Sequence, residues 1–107
     1  MLSPEAFHEK AANAAALLRS MANENRLMIL CRLGDGERAV GDLHADFDLS
    51  QSALSQHLAV LRQQGLVDTR RDGQTIYYRI ADPSALKVIE TLMSIFCPEM
   101  ETKNDTD

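Results

Sequence analysis

The sequence predicts a mainly α-helical domain with a small β-hairpin, about five helices and a two-stranded hairpin, and three observations carry that expectation. Successive segments place apolar residues three and four positions apart behind short polar residues suited to capping helices. An Asp-Gly pair at 72–73 separates two segments of alternating character, the strongest short-range signal for a hairpin. The 107 residues, 45% hydrophobic and 25% charged with five Gly and three Pro, have the composition of an ordinary globular chain. That length suits one domain with a modest core, for which a second copy is one way to bury more.

The first helix is expected over residues 4–21, with Ser3 as its cap, Pro4 in the first position and Glu5 and Glu9 toward the positive end of the helix dipole. Phe7, Ala11, Ala14, Leu18 and Met21 share one face, and the alanines of "AANAAALL" let another helix come close, within the subunit or from a second one. From about Asn23 to Leu33, "RLMILCRL" is apolar almost all round, as a central helix should be. "GDGE" ends it, "AVGDLHADF" forms a helix of roughly two turns, and "DLS" leads into a helix over residues 50–64 capped by Ser50. Two helices joined by so short a turn match the helix-turn-helix pattern.

Gly65 ends the fourth helix, and "LVDTRR" and "TIYYRI" form strands around Asp72, Gly73 and Gln74. Ile76, Tyr78 and Ile80 should face the core and Thr75, Tyr77 and Arg79 the solvent. Asp82, Pro83 and Ser84 open the last helix, whose stripe is Leu86, Ile89, Leu92, Met93 and Phe96, closed by Cys97-Pro98. The order of elements describes a winged helix-turn-helix domain over residues 1–98. Residues 99–107 complete "PEMETKNDTD", an acidic stretch expected to be a disordered tail.

The net charge of −5 hides an uneven distribution. Residues 50–80 hold Arg62, Arg70, Arg71 and Arg79 against Asp68 and Asp72, a balance of +2, which leaves −7 for the other 76 residues. On a helical wheel Leu54, Leu58 and Leu61 point inward, while Ser52, Ser55, Gln56 and Gln63 point outward. Gln51 and Arg62 lie toward one edge and His57 toward the other. Short hydrogen-bonding side chains at a helix N-terminus suit a major groove, where they meet base edges and phosphates. The plainer reading is a solvated polar face. The neighbouring short helix and the basic hairpin favour DNA, with Arg70, Arg71 and Gln74 near the turn placed to reach the backbone or minor groove.

At this point "ANENRLMILCRL", "VGDL", "LSQSALSQHLAVLRQQGLV" and "RRDGQTIYYRI" resemble the ArsR/SmtB family of bacterial winged-helix repressors over about residues 13–97. The resemblance implies a homodimer built from the first and last helices, which binds an inverted-repeat operator in double-stranded DNA and releases it on meeting an inducer. It places DNA contacts on Gln51, Ser52, Ser55, Gln56, His57 and Arg62 of the fourth helix and on Arg70, Arg71 and Gln74 of the wing.

Family members that sense arsenite or soft metals carry Cys-x-Cys in the third helix, where "ERAVGDL" has Ala39 and Gly41. Members that sense zinc or nickel through the last helix use His and Asp, and residues 83–97 contain neither. Borderline and soft metals need such donors, so no metal site and no cofactor is expected. His8, His44 and His57, on three different helices, suit surface or capping roles, with DNA contact open to His57. Two cysteines in a protein of the cytosol are either buried small hydrophobes or a redox-responsive pair. The likeness to the sulfide- and persulfide-responsive BigR, SqrR and HlyU branch implies the second: Cys31 and Cys97 react with persulfide or a related reactive sulfur species to form a disulfide or polysulfide bridge.

A peroxide or general thiol-redox sensor is the alternative in the same class, and a winged-helix protein-interaction module without inducer is another. No Cys-x-x-Cys, phosphate loop, paired-carboxylate constellation or nucleophile elbow is present to suggest an enzyme. No apolar run approaches the ~20 residues that cross a bilayer, and "MLSPEAFHEK" lacks the order of an export signal, so a cytoplasmic protein with no membrane partner is expected.

Overall fold

The computed structural model describes residues 2–98; the tail expected over 99–107 lies outside the described residues. Eight elements follow in the order α1 (Pro4–Met21), α2 (Glu24–Leu33), β1 (Arg38–Ala39), α3 (Val40–Asp46), α4 (Gln51–Gln63), β2 (Val67–Asp72), β3 (Thr75–Ile80) and α5 (Pro83–Phe96). The five helices and a wing form a winged helix-turn-helix fold. The wing has three strands where two were expected. β1 is only two residues long, too short for alternation to register in a sequence, and it pairs antiparallel with β3 through Arg38↔Tyr78 and Ala39↔Tyr77.

Local chemistry sets the helix starts. Each of four helices is preceded by a short polar residue in extended backbone whose side-chain oxygen accepts a backbone N–H of the first turn. Ser3 Oγ accepts from Ala6 at 3.2 Å, Asn23 Oδ1 from Asn25 and Arg26 at 3.0 and 3.1 Å, Ser50 Oγ from Ala53 at 3.1 Å, and Asp82 Oδ1 from Ser84 at 2.8 Å. The exception is α3, whose cap position is Ala39 of β1, with no side-chain hydrogen bond.

The end of α4 fixes where the wing begins. Gly65 adopts φ +78°, its N–H donates to Arg62 O at 3.0 Å, and the Leu66 N–H donates to Leu61 O at 2.9 Å. This pair of bonds is a Schellman motif, and its usual hydrophobic partnership is present in Leu61 and Leu66, both buried. The chain therefore leaves α4 pointing into β2. At the far end of the hairpin Asp72 and Thr75 are paired, so the turn is centred on Gly73 and Gln74, with positive φ at Gly73 alone. That pattern needs glycine at the first central position.

The core lies between α2, α4, α5 and the inner face of the sheet. Ile29, Leu30 and Leu33 of α2 are buried with Leu54, Leu58 and Leu61 of α4 and with Ala85 and Ile89 of α5; Leu43, Leu66 and Val67 complete the centre. Tyr78 and Ile80 pack against this cluster from β3, as alternation predicts. The stripe of α1 does not pack inside the subunit: Met21 is buried and Leu17 touches the core, but Phe7 and Leu18 remain 65% and 55% exposed. The last turn of α5 is also open, with Ile95 60% and Phe96 75% exposed.

Replacing Leu61, which is fully buried and anchors both α4 and the Schellman motif, tests this account. Leu61→Ala is expected to lose about 3 kcal/mol of stability through the transfer and cavity terms, measured by urea unfolding at fixed protein concentration. A loss under about 1 kcal/mol would place this leucine outside the core.

Candidate functional site

The outward face of α4 is a polar ridge. Gln51, Ser52, Ser55, Gln56, Arg62 and Gln63 are all exposed, on the side opposite Leu54, Leu58 and Leu61. Open grooves flank it: one of about 600 Å³ toward α3, bordered by Gly41, His44, Gln51 and Gln56, and one of about 580 Å³ toward the sheet, bordered by Arg62, Gln63 and Tyr78. Ser55 borders both, so it sits on the crest. His57 is half-buried rather than exposed and stands at the edge of the ridge. Ser50, by capping α4, leaves the positive end of the helix dipole beside Gln51 and Ser52.

His44 has a structural role. Its Nε2 lies 2.9 Å from Leu49 O. A carbonyl only accepts, so Nε2 carries the proton and ties α3 to the turn that leads into α4. The angle between the two helices thus has a polar restraint as well as the burial of Leu43 and Leu54 in one core.

The wing's outer face carries a charge network that the sequence did not reveal. Arg70 donates from Nε to both Glu37 carboxylate oxygens, at 3.1 and 2.9 Å, and from Nη2 to Oε1 at 2.8 Å. The guanidinium carbon lies 4.4 Å from the centroid of the Tyr77 ring. Arg70 faces Tyr77 across the β2–β3 ladder, and Glu37 arrives from just before β1 on the opposite edge of the sheet. The Arg70 hydrogen bonds hold the Glu37 carboxyl below its usual range, and Glu37 in turn holds the guanidinium charged. Asp68 is also lowered, first by the Thr69 N–H at 2.8 Å and then by Arg79, whose Nη2 is 3.4 Å away.

Of the four arginines that make residues 50–80 basic, two are therefore paired. Arg62 and Arg71 are exposed and make no ion pair among the described residues. Gln74 is exposed in the hairpin turn. Glu37 and Tyr77 were missed as contributors because their partnership with Arg70 depends on β1 joining the sheet, which no local pattern announced.

Cys31 and Cys97 are both free and half-buried, and both open onto one cavity of about 380 Å³. Its other walls are Leu27 and Met28 of α2, Phe47 after α3, Met93 of α5, and the charged Arg32, Asp35 and Asp46. Cys31 occupies the last turn of α2. Cys97 caps α5, where its N–H donates to Met93 O at 2.7 Å. Burial pushes the Cys31 thiol pKa up, and the Cys97 sulfur and the Asp35 carboxylate push it the same way. The two sulfurs thus lie near enough to feel each other's charge.

Among the described residues no group of three or more His, Cys, Asp or Glu could hold a metal ion, and no helix is long and apolar enough to cross a membrane. His8 lies on α1, His44 on α3 and His57 on α4.

Comparison with known proteins adds a lineage to this geometry. A model of bacterial regulatory proteins of the arsR family matches residues 23–69. The biofilm growth-associated repressor of Agrobacterium fabrum is 46% identical over 96 residues, which span 90% of this chain and 82% of that one. The transcriptional activator HlyU of Vibrio cholerae is 48% identical over 91 residues, 85% of this chain and 84% of that one. Among solved structures, the transcriptional repressor BigR from Xylella fastidiosa superposes with a TM-score of 0.81 at 38% identity, covering 90% of this chain and 98% of that one.

The environment of Cys31 predicts its titration. In a Cys97→Ser protein, the rate of Cys31 alkylation should follow the thiolate and rise with pH to a midpoint above the ordinary thiol value of about 8.5, because burial remains after the neighbouring sulfur is gone. A midpoint below that value would contradict the buried setting described here.

Proposed function

The chain belongs to the arsR family of bacterial regulatory proteins, and from that premise we propose a dimeric transcriptional repressor whose hold on an inverted-repeat operator is switched by the redox state of Cys31 and Cys97. The inducer in this reading is a persulfide or related reactive sulfur species, and the product is a disulfide or polysulfide bridge. The observation that carries it is that both free thiols open onto one cavity between α2 and α5.

Each half of the proposal has physical support. On the DNA side, the exposed ridge of Gln51, Ser52, Ser55 and Gln56 presents short donors and acceptors to base edges, with His57 at its margin. Arg62, Arg71 and Gln74 reach phosphates. Arg70 has Nε and Nη2 committed to Glu37 and contributes its remaining nitrogen. For the dimer, α1 and α5 carry the uncovered apolar side chains Phe7, Leu18, Ile95 and Phe96, and a second copy would remove them from water.

The switch follows from connectivity. A persulfide attacked by one thiolate leaves a sulfur adduct, and the other cysteine resolves it. Burial raises the Cys31 thiol pKa, which disfavours it as the first attacking thiolate. The bridge ties the end of α5 to α2, and α2 packs directly on α4. In a dimer joined through α1 and α5, a change in the tilt of α5 against α2 alters the spacing of the two α4 helices, which must match one turn of DNA, about 34 Å. A hundredfold loss of operator affinity needs only about 2.7 kcal/mol of differential binding.

Two measurements test the two halves. Cys31→Ser and Cys97→Ser proteins should bind operator as the native protein does and fail to release it under persulfide. Normal release by either variant, or equal response of the native protein to peroxide, overturns persulfide sensing by the pair. For the DNA face, Gln56→Ala should cost about 1–3 kcal/mol at one base position, whereas Arg71→Ala should weaken all sequences alike and lower the slope of log affinity against log salt by about one. Unchanged binding in both variants would remove α4 and the wing from the interface.

A further inference from the structure

We propose that the cavity shared by Cys31 and Cys97 selects the carrier of the reactive sulfur, accepting hydropersulfides whose organic group is small and apolar and disfavouring those whose organic group carries a carboxylate. The inference rests on the redox reading above and deepens it, by assigning the part of the inducer that does not react.

The cavity has room for more than the sulfur atoms. Its volume of about 380 Å³ falls within the range of sites that hold small organic molecules, roughly 300–1,000 Å³. The apolar walls are Leu27, Met28, Phe47 and Met93. Two thioethers and an aromatic ring are soft, polarizable surfaces, well matched to an alkyl chain bearing divalent sulfur.

Charge supplies the selectivity. Among the described residues three charged side chains border the cavity, and the only cation of the three is already engaged: Arg32 Nε lies 3.2 Å from Asp46 Oδ2. Asp35 has no ion pair among the described residues, and its charge adds to the burial that disfavours the Cys31 thiolate. The described lining therefore carries a net negative charge with no unpaired cation of its own. A carrier with carboxylates meets repulsion there, and one with an alkyl group exchanges water for the methionine and phenylalanine walls.

The chemistry balances without a further reagent. The Cys97 thiol gives its proton to solvent, and the thiolate attacks the outer sulfur of R–S–SH. A Cys97–S–SH persulfide forms, the S–S bond of R–S–SH breaks, and R–S⁻ leaves and is protonated. The Cys31 thiolate then attacks Cys97 Sγ, forming Cys31–S–S–Cys97 and expelling HS⁻. Two thiols have lost two electrons, and the transferred sulfur has gained them as hydrosulfide.

The test compares butyl hydropersulfide with 3-carboxypropyl hydropersulfide, both generated in solution and calibrated against free cysteine for intrinsic reactivity. The reduced full-length chain is followed by mass spectrometry for the bridged form and by operator release. The butyl reagent, which lacks the carboxylate, should bridge the cysteines about tenfold faster at low salt, and the preference should shrink as salt screens it. Asp35 is exposed and makes no side-chain hydrogen bond among the described residues, so Asp35→Asn and Asp35→Lys can be made without disturbing the core. Asp35→Asn should speed both reagents and bring their ratio toward one; Asp35→Lys should favour the carboxylated reagent. Equal calibrated rates on the native protein, or a ratio indifferent to residue 35, would overturn the selectivity while leaving the switch intact. Failure of both reagents to join the cysteines would instead strike the redox reading itself.

Discussion

The burial of α2 is the constraint on which the rest of the molecule depends. This ten-residue helix contacts α4, α5 and β3, and it does so with Ile29, Leu30 and Leu33 almost wholly removed from water. Each such side chain contributes on the order of 1.5–3 kcal/mol when fully buried, so the position of α2 is fixed by a large share of a small domain's stability. The polar ridge of α4, the sheet and the last helix are arranged around it.

That arrangement divides the surface by chemistry. On one side α4 turns its leucines to α2 and its serines and glutamines to solvent, while the Schellman motif at Gly65 sends the chain directly into the wing. On another side Cys31, in the last turn of α2, opens onto the same cavity as Cys97 at the end of α5. The same helix therefore supports the polar ridge and contributes one wall of the thiol cavity. No long pathway is needed between them, because close-packed interiors transmit displacement through contact rather than through compliance.

Electrostatics refines both regions. The wing is less basic than its sequence implies, since Glu37 and Asp68 neutralise Arg70 and Arg79 on its outer face. These exposed pairs shape the wing by fixing side chains more than by adding stability. What remains available is concentrated at Arg62 of α4 and Arg71 of β2. At the cysteines, burial, the Cys97 sulfur and Asp35 push the Cys31 thiol pKa up, and among the described residues the one arginine bordering the cavity is paired with Asp46, which leaves an acidic, mostly apolar space around the sulfurs.

Much of this was readable along the chain because it depends on neighbours in sequence. Four caps, the glycine stop at 65, the leucine seam of α4 and the alternation of β3 are all local patterns with local causes, and each element appears within a residue or two of its expected bounds. The serine- and glutamine-rich ridge was legible for the same reason. What the tertiary structure alone decided involves residues brought together from distant segments: the two-residue strand β1, the clasp of Glu37 on Arg70 over Tyr77, the exposure of the α1 stripe, and the single cavity onto which Cys31 and Cys97 open. Periodicity specifies which face of an element is apolar. Which other element covers that face, and which charges then find themselves adjacent, follows only from packing the whole core at once.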